Sequence, residues 1–515
     1  MQLYQRVPTG FSSTLIRLPL FLLLFGVFSA MMLVPAIYGG VVRELETARA
    51  FLYSAILGLS IFAMIGLAHA GRDPRHGALG PLMSLFSAFV FLPAILAVPF
   101  YEGLGTTTFL NAYVEMVSAI TTTGATVFED PERLNGALHL WRALVAWMGG
   151  LLMWIAASAI LAPLNLGGFE VTARAEPGRT TSHDTSISAP QARVRITKVA
   201  AVLVPIYCSL TLLLWVLLAV GGDAGLVAVI HAMSVLATSG ISPVGGLTGA
   251  ESGLTGEMVM FLFMLFALSR LTFSTDTATS DMGGLRADPE FRIGLALVIA
   301  VPVVLFARHF IGAVDVNAET DLIGAFRAFW GSAFTVMSFL TTTGFSSANW
   351  TDAQSWSGLA TPGLLLMGLA LIGGGVATTA GGVKLLRVFA LYLNGLREME
   401  KLVHPSSVGG GHVMGRRIQK GGAFIAWIFF MLFALTLAVI TVALAATGVP
   451  FETGLVIAVA GLSTTGPLLD VATSTPISLI DLAGLAKGIF VGAMVLGRLE
   501  MLAIIALLTP DLWRG

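Results

Sequence analysis

Long apolar runs alternate with short polar breaks along this chain, and four of the breaks carry related text, nearly the same in the first and third and looser in the second and fourth. In each, an apolar stretch long enough to cross a bilayer comes first, followed by a mixed segment of roughly 14 residues, a hydroxyl-rich piece ending in glycine, and a second apolar stretch. The four pieces are Thr121-Thr122-Thr123-Gly124, Ala237-Thr238-Ser239-Gly240, Thr341-Thr342-Thr343-Gly344 and Ser463-Thr464-Thr465-Gly466. From Gly124 to Gly240, Gly344 and Gly466 the intervals are 116, 104 and 122 residues. Regular self-similarity of this kind marks one supersecondary unit used repeatedly. The predicted organisation is all-α and polytopic: residues 1–80 hold two leading spans, at 18–39 and 51–70, joined by a loop containing Arg43, Glu44, Glu46 and Arg49. Four repeats follow at 81–195, 196–290, 291–420 and 421–515, making ten spans in all.

The mixed segment reaches only about 20 Å as a helix, short of a hydrocarbon core of about 30 Å, so it enters and returns. Non-helical backbone at membrane depth is tolerated where it is buried in protein or lines a watery path. Glycine lets successive carbonyls turn toward one axis, the Thr and Ser hydroxyls add acceptors, and the preceding short helix aims its negative end inward. A ring of such oxygens replaces the hydration shell of a cation. A helix C-cap or a close helix crossing accounts for one such piece, whereas four in register around an axis point to an ion path.

Composition agrees. The chain has 515 residues, 56% hydrophobic and 11% charged, with mean hydropathy +0.87; soluble domains carry about 25% charge. The single cysteine, Cys208, excludes an intrachain disulfide and a Cys-based metal site. The first apolar run is too long for a secretory leader and reads as a retained span. Basic residues collect after every second span: Arg72 and Arg75; Arg174, Arg179, Arg193, Arg195 and Lys198; Arg270, Arg286 and Arg292; Arg397, Lys401, Arg416, Arg417 and Lys420. The opposite side holds mixed or acidic sets such as Glu129, Asp130, Glu132 and Arg133. By the positive-inside rule both termini are cytoplasmic and the four loops enter from outside. The polar stretches at 170–191 and 409–411 read as linkers or docking surfaces.

Several residues inside apolar segments carry candidate chemistry. The run from Gly373 to Gly382 contains Gly373, Gly374, Gly375, Thr378, Thr379, Gly381 and Gly382 in the middle of a span. Lys384 lacks the flanking Gly and Ser/Thr of a phosphate loop, and glycine-broken helices mark ion paths. Arg498 lies halfway along the last span, where an arginine is costly unless it meets water or a partner; Glu500, the nearest acid, is on another helix face. Glu115, His231 and Arg327 fall in the short helices before the loops, as packing or entrance groups, and Lys487 near the outer end of the last span. Asp321 reads as the N-cap of the third short helix, and Asn349-Trp350-Thr351 is a lone sequon match. No His-Glu-x-x-His or Gly-x-Ser-x-Gly motif supports an enzyme.

The sequence resembles the TrkH/KtrB potassium-transporter family. The four glycines carry the resemblance, with Trp141-Arg142-Ala143-Leu144-Val145-Ala146-Trp147-Met148-Gly149-Gly150 after the first loop, the stretch from Gly373 to Lys384, and Gly497-Arg498-Leu499-Glu500. The resemblance implies K⁺ uptake through four helix-pore loop-helix repeats around one pore, with two extra N-terminal helices typical of the Trk-type branch. It implies K⁺ at Thr122, Thr123, Gly124, Thr238, Ser239, Gly240, Thr342, Thr343, Gly344, Thr464, Thr465 and Gly466. It implies a gate formed by the glycine-rich run and Arg498 beneath them. Family members that carry Na⁺ have serine at the first of these glycines; Gly124 favours K⁺. Also implied are a homodimer in the bacterial inner membrane, a cytosolic nucleotide-binding regulatory subunit of the RCK/TrkA-like kind, no cofactor in this chain and no nucleic-acid partner. The competing reading is a cation-coupled secondary transporter using its broken helices, although four same-direction repeats favour a pore over two inverted halves.

Overall fold

The computed structural model describes residues 18–69, 80–162, 166, 168, 189–269, 285, 288–312, 322–358, 361–404 and 422–501. All regular structure among them is helical. Two leading spans come first, Leu20–Val42 and Leu45–His69. The loop expected between them shrinks to a single turn: Arg43 adopts a left-handed conformation (φ 68°), and Glu46 already lies in the first turn of the second helix, where its charge suits the helix dipole.

Each repeat has an outer helix, a pore helix and an inner helix. The outer helices are Gly80–Leu104, Ala189–Val220, Pro289–Gly312 and Gly422–Ala446; the pore helices are Phe109–Ile120, Gly225–Ala237, Leu322–Leu340 and Phe451–Leu462. The inner helices are Gly136–Ala156, Gly253–Met264, the broken pair Pro362–Ile372 and Leu385–Val403, and Gly484–Leu499. By length and composition, eight helices among the described residues can cross a membrane, including the long third pore segment Ile323–Leu340. This set includes one pore helix and leaves out the inner helices of repeats two to four, whose described apolar segments Gly253–Leu268, Pro362–Ile372 and Gly484–Leu499 are shorter than a full span.

Capping fixes where the first pore and inner helices begin. Thr108 accepts from Asn111 N, and Asn135 accepts from Leu138 N, each meeting one of the unpaired N–H groups of a helix start. Glu44, from the leading helices, adds both carboxylate oxygens: they accept from Gly136 N and Ala137 N at 3.0 Å. This clamps the N-terminal pair to the first repeat.

The repeats close into a ring. The inner helix of repeat one packs on the pore helix of repeat two, that of repeat two on pore helix three, Pro362–Ile372 on pore helix four, and Gly484–Leu499 back on pore helix one. Asp321, the basic loop residues 270, 286, 416, 417 and 420, and the linkers at 170–188 and 409–411 lie outside the described residues.

Candidate ion pathway

The four pore helices end alike. At each C-terminus a threonine takes the left-handed conformation: Thr122 (φ 54°), Thr238 (52°), Thr342 (56°) and Thr464 (53°). The next N–H donates back to the last turn of the helix: Thr123 to Ser118 O (2.8 Å), Ser239 to Ser234 O (3.0 Å), Thr343 to Ser338 O (2.8 Å) and Thr465 to Ala460 O (2.9 Å). The threonine N–H groups complete the pattern, as in Thr122 to Ala119 O at 2.9 Å. This is a Schellman cap with threonine where glycine is usual. The helix-cap alternative weighed from the sequence therefore describes the first half of each loop. A β-branched residue in this region costs about 1–2 kcal/mol, and the strain recurs four times at one level of the ring.

Past the cap the glycines bring the loops together. A Cβ on Gly124 would lie 1.6 Å from Ser239 O, on Gly240 2.4 Å from Thr343 O, on Gly344 2.7 Å from the Pro467 ring, and on Gly466 2.0 Å from Ala125 N. Each glycine thus faces the next loop in order, and any side chain there collides with it. Gly124, Gly240 and Gly344 have positive φ; Gly466 does not. Proline at 467 pushes the preceding residue toward extended backbone, and the short helix Leu468–Val471 begins at once. Gly466 N donates instead to Thr123 O at 2.6 Å, so the fourth loop departs from the symmetry of the others.

Hydroxyls line the same level. Thr121 and Thr123 share a hydrogen bond at 2.8 Å, Thr341 and Thr343 one at 3.0 Å, and Ser234 and Ser239 one at 3.1 Å. The hydroxyls of Thr122 and Thr464 are buried without a protein partner. All twelve Thr, Ser and Gly residues singled out in the sequence therefore lie in one cluster, buried but for Gly124 and Gly240, which are partly exposed.

What holds the loops differs from repeat to repeat. Nine positions before the glycines stand Glu115, His231, Thr335 and Ile457. Glu115 accepts from Val127 N at 2.9 Å, three residues beyond Gly124, and pairs with Arg142 of the inner helix at 2.6 Å. Both side chains are buried, so Glu115 braces the first loop and does not face the entrance. His231 bonds Ser242 at 2.9 Å and stacks edge-on against Phe345. Thr335 accepts from Ser347 N at 3.2 Å. Arg327 is exposed, and Lys487 donates to Asn111 Oδ1 at 2.8 Å, tying the last helix to pore helix one near its start.

Below the loops, residues 373–384 break the third inner helix. The two legs of this segment bond to each other, Lys384 N to Ile372 O at 2.9 Å and Leu385 N to Gly374 O at 3.0 Å. Its tip reaches three pore helices: Gly381 N donates to the Thr342 hydroxyl at 2.7 Å, the Thr379 hydroxyl donates to Leu236 O at 3.2 Å, and a Cβ on Gly381 would lie 2.1 Å from Ser463 O. Close backbone packing accounts for these glycines, alongside the break in the helix that the sequence predicted. Arg498 Nη1 donates to Thr379 O at 2.6 Å, holding the segment from the opposite side. Glu500 does not pair with Arg498; it binds Arg387 at 2.7 Å, and that guanidinium lies over the Phe429 ring at 3.7 Å.

Sequence reasoning passed over Glu257, Glu290 and Arg387, and it named Glu44 and Lys384 without assigning them a partner. The available signal was the rarity of charge within apolar segments, which marks each of them as partnered. Lys384 donates to Ala380 O and Glu290 accepts from Val376 N at 2.9 Å, so both bind the broken segment. No group of three or more His, Cys, Asp and Glu side chains suited to a metal occurs among the described residues.

The TrkH family model, described as a cation transport protein, matches residues 94–247 and 259–512. The Trk system potassium uptake protein TrkH of Salmonella typhimurium is 29% identical over 499 residues, covering 96% of this chain and 98% of that protein. Its counterpart in Vibrio parahaemolyticus is 31% identical over 410 residues, 79% of this chain and 80% of that protein. The crystal structure of the potassium transporter TrkH from Vibrio parahaemolyticus superposes with a TM-score of 0.79 at 25% identity, covering 98% of this chain and all of that one. With four pore repeats in a ring and a family match across them, the chain belongs to the TrkH family of cation transport proteins and is a transporter, not an enzyme.

Proposed function

We propose that the chain takes up K⁺ through a filter made by its four Thr-Gly loops, with the broken third inner helix as a gate beneath it. The observation that carries the reading is the fourfold cap-and-glycine geometry, in which strained threonines and side-chain-free glycines meet around one axis. Backbone and hydroxyl oxygens in such a ring suit a dehydrated monovalent cation. Potassium uptake proteins similar to it along nearly its whole length support K⁺ as that cation, as does glycine at position 124.

The filter residues are Thr122, Thr123 and Gly124 with their counterparts in the other three loops. The gate comprises Gly373–Gly375, Thr378, Thr379, Gly381, Gly382 and Arg498. The protein sits in the bacterial inner membrane with the loops entering from outside and both termini in the cytoplasm, as the basic loops indicate. It works as a homodimer with a cytosolic nucleotide-binding subunit that moves the gate; the resemblance to Trk systems supports this, and co-purification of such a subunit from native membranes tests it. Purified protein in vesicles should admit ⁸⁶Rb⁺ without any organic substrate, with K⁺ competing and Na⁺ competing weakly. Flux that requires a co-transported solute would replace the pore with a coupled carrier.

A further inference from the structure

Glu257 stands on the inner helix of repeat two, yet everything it binds belongs to repeat three. Its carboxylate accepts from the Ser347 hydroxyl at 2.8 and 3.0 Å, from Ala348 N at 2.7 Å and from Trp330 Nε1 at 2.8 Å. The residue is 3% exposed, and among the described residues no basic side chain pairs with it. Ser347 and Ala348 follow Gly344 by three and four positions on the segment leaving the third loop, and Trp330 lies on the pore helix leading into it. One carboxylate therefore ties the two ends of the third loop together from the neighbouring repeat. Ser347 extends the tie: its N–H meets Thr335 and its hydroxyl also accepts from Asn349 N at 3.1 Å.

The first loop has an equivalent tie made differently. Glu115 holds Val127, also three residues past its glycine, but its charge is offset by Arg142. The fourth pore helix has Ile457 at that position and the third has only Thr335, whose single hydroxyl leaves the Trp330 and Ala348 N–H groups for another acceptor. Glu257 supplies it. A buried carboxylate without a counter-charge keeps its place only while its donors are aligned, so it fixes their positions strongly.

We infer that Glu257 is a positioning residue for cation selectivity, holding the third loop in register from repeat two. The inference rests on the filter reading above, and the experiment separates the two. ⁸⁶Rb⁺ and ²²Na⁺ uptake are measured for the parent, E257A, E257Q, S347A and E257A/S347A in vesicles, with protein level and thermal stability recorded for each. If the parent itself does not discriminate, the filter reading fails. If it discriminates, E257A should lower the Rb⁺ to Na⁺ flux ratio by about tenfold or more, the loss expected from removing a charged acceptor shared by several donors. E257Q keeps one acceptor and should fall between. S347A should shift the ratio in the same direction, and the double variant should fall short of the sum of the singles because both remove one interaction. Should E257A fail to accumulate, E257Q and S347A carry the comparison. An unchanged ratio in these variants, or equal loss of both fluxes at constant ratio, overturns the inference and leaves Glu257 a packing residue.

Discussion

Replacing Arg498 by alanine should open the pathway, and two separable contributions set how far. The first is mechanical: Arg498 Nη1 donates to Thr379 O at 2.6 Å, the direct hold of the last helix on the broken segment. A hydrogen bond from a charged donor contributes about 1.5–3 kcal/mol, so its loss should shift the segment from seated to displaced by about tenfold to a hundredfold. The second is electrostatic. At an effective dielectric near 20, a fixed positive charge about 6 Å from a passing cation costs roughly 3 kcal/mol, or about two orders of magnitude in rate. R498Q distinguishes them, since its amide can still donate to Thr379 O but carries no charge. The assay is ⁸⁶Rb⁺ uptake into vesicles with and without the proposed regulatory subunit. R498A should conduct much faster than the parent and lose most of its dependence on the regulator; R498Q should gain conduction but stay regulated. Parental flux in both, with normal protein levels, would refute the assignment of Arg498 and the 373–384 segment as the barrier.

Two further outcomes follow from buried charge. E115A should be severely destabilised, because Arg142 is left buried and uncompensated at a cost of about 3–5 kcal/mol; E115Q/R142Q should recover much of it, and equal melting temperatures for E115A and the parent in detergent would contradict the brace described for the first loop. E44A removes the acceptor for two helix N–H groups at Gly136 and Ala137 and should cost about 1–2 kcal/mol; a thermal scan that detects no loss would mean that the leading helix pair is not clamped to repeat one in this way.

The repeat was legible because its signal is text: a Thr/Ser-rich piece ending in glycine recurs four times, twice as Thr-Thr-Thr-Gly, at near-regular intervals in a very apolar chain. The break in the third inner helix was equally plain from Gly373 to Gly382. Three features were not. The left-handed threonines escaped notice because sequence reasoning assigns positive φ to glycine, whereas here the strain is borne by β-branched residues that the ring holds in place. The departure of Gly466 turns on Pro467, whose effect on its predecessor is local but whose partner, Thr123 O, lies 343 positions away (466 to 123). The pairing of buried charges was unreadable for the same reason: Arg387 with Glu500, Glu257 with Ser347 and Lys487 with Asn111 each join residues from different repeats.

The central claim is that four glycine-centred loops select K⁺, and the most direct measurement is the Rb⁺ to Na⁺ flux ratio of G344S beside the parent. A Cβ at residue 344 would lie 2.7, 2.9 and 3.1 Å from three atoms of the Pro467 ring, in a backbone region (φ 88°) that side chains rarely adopt. The carbonyl at that position must therefore move. The account predicts a parent that favours Rb⁺ strongly and a G344S variant in which that preference collapses, either by admitting Na⁺ or by ceasing to conduct while still folding. A folded G344S protein that conducts and retains the parental ratio would contradict it.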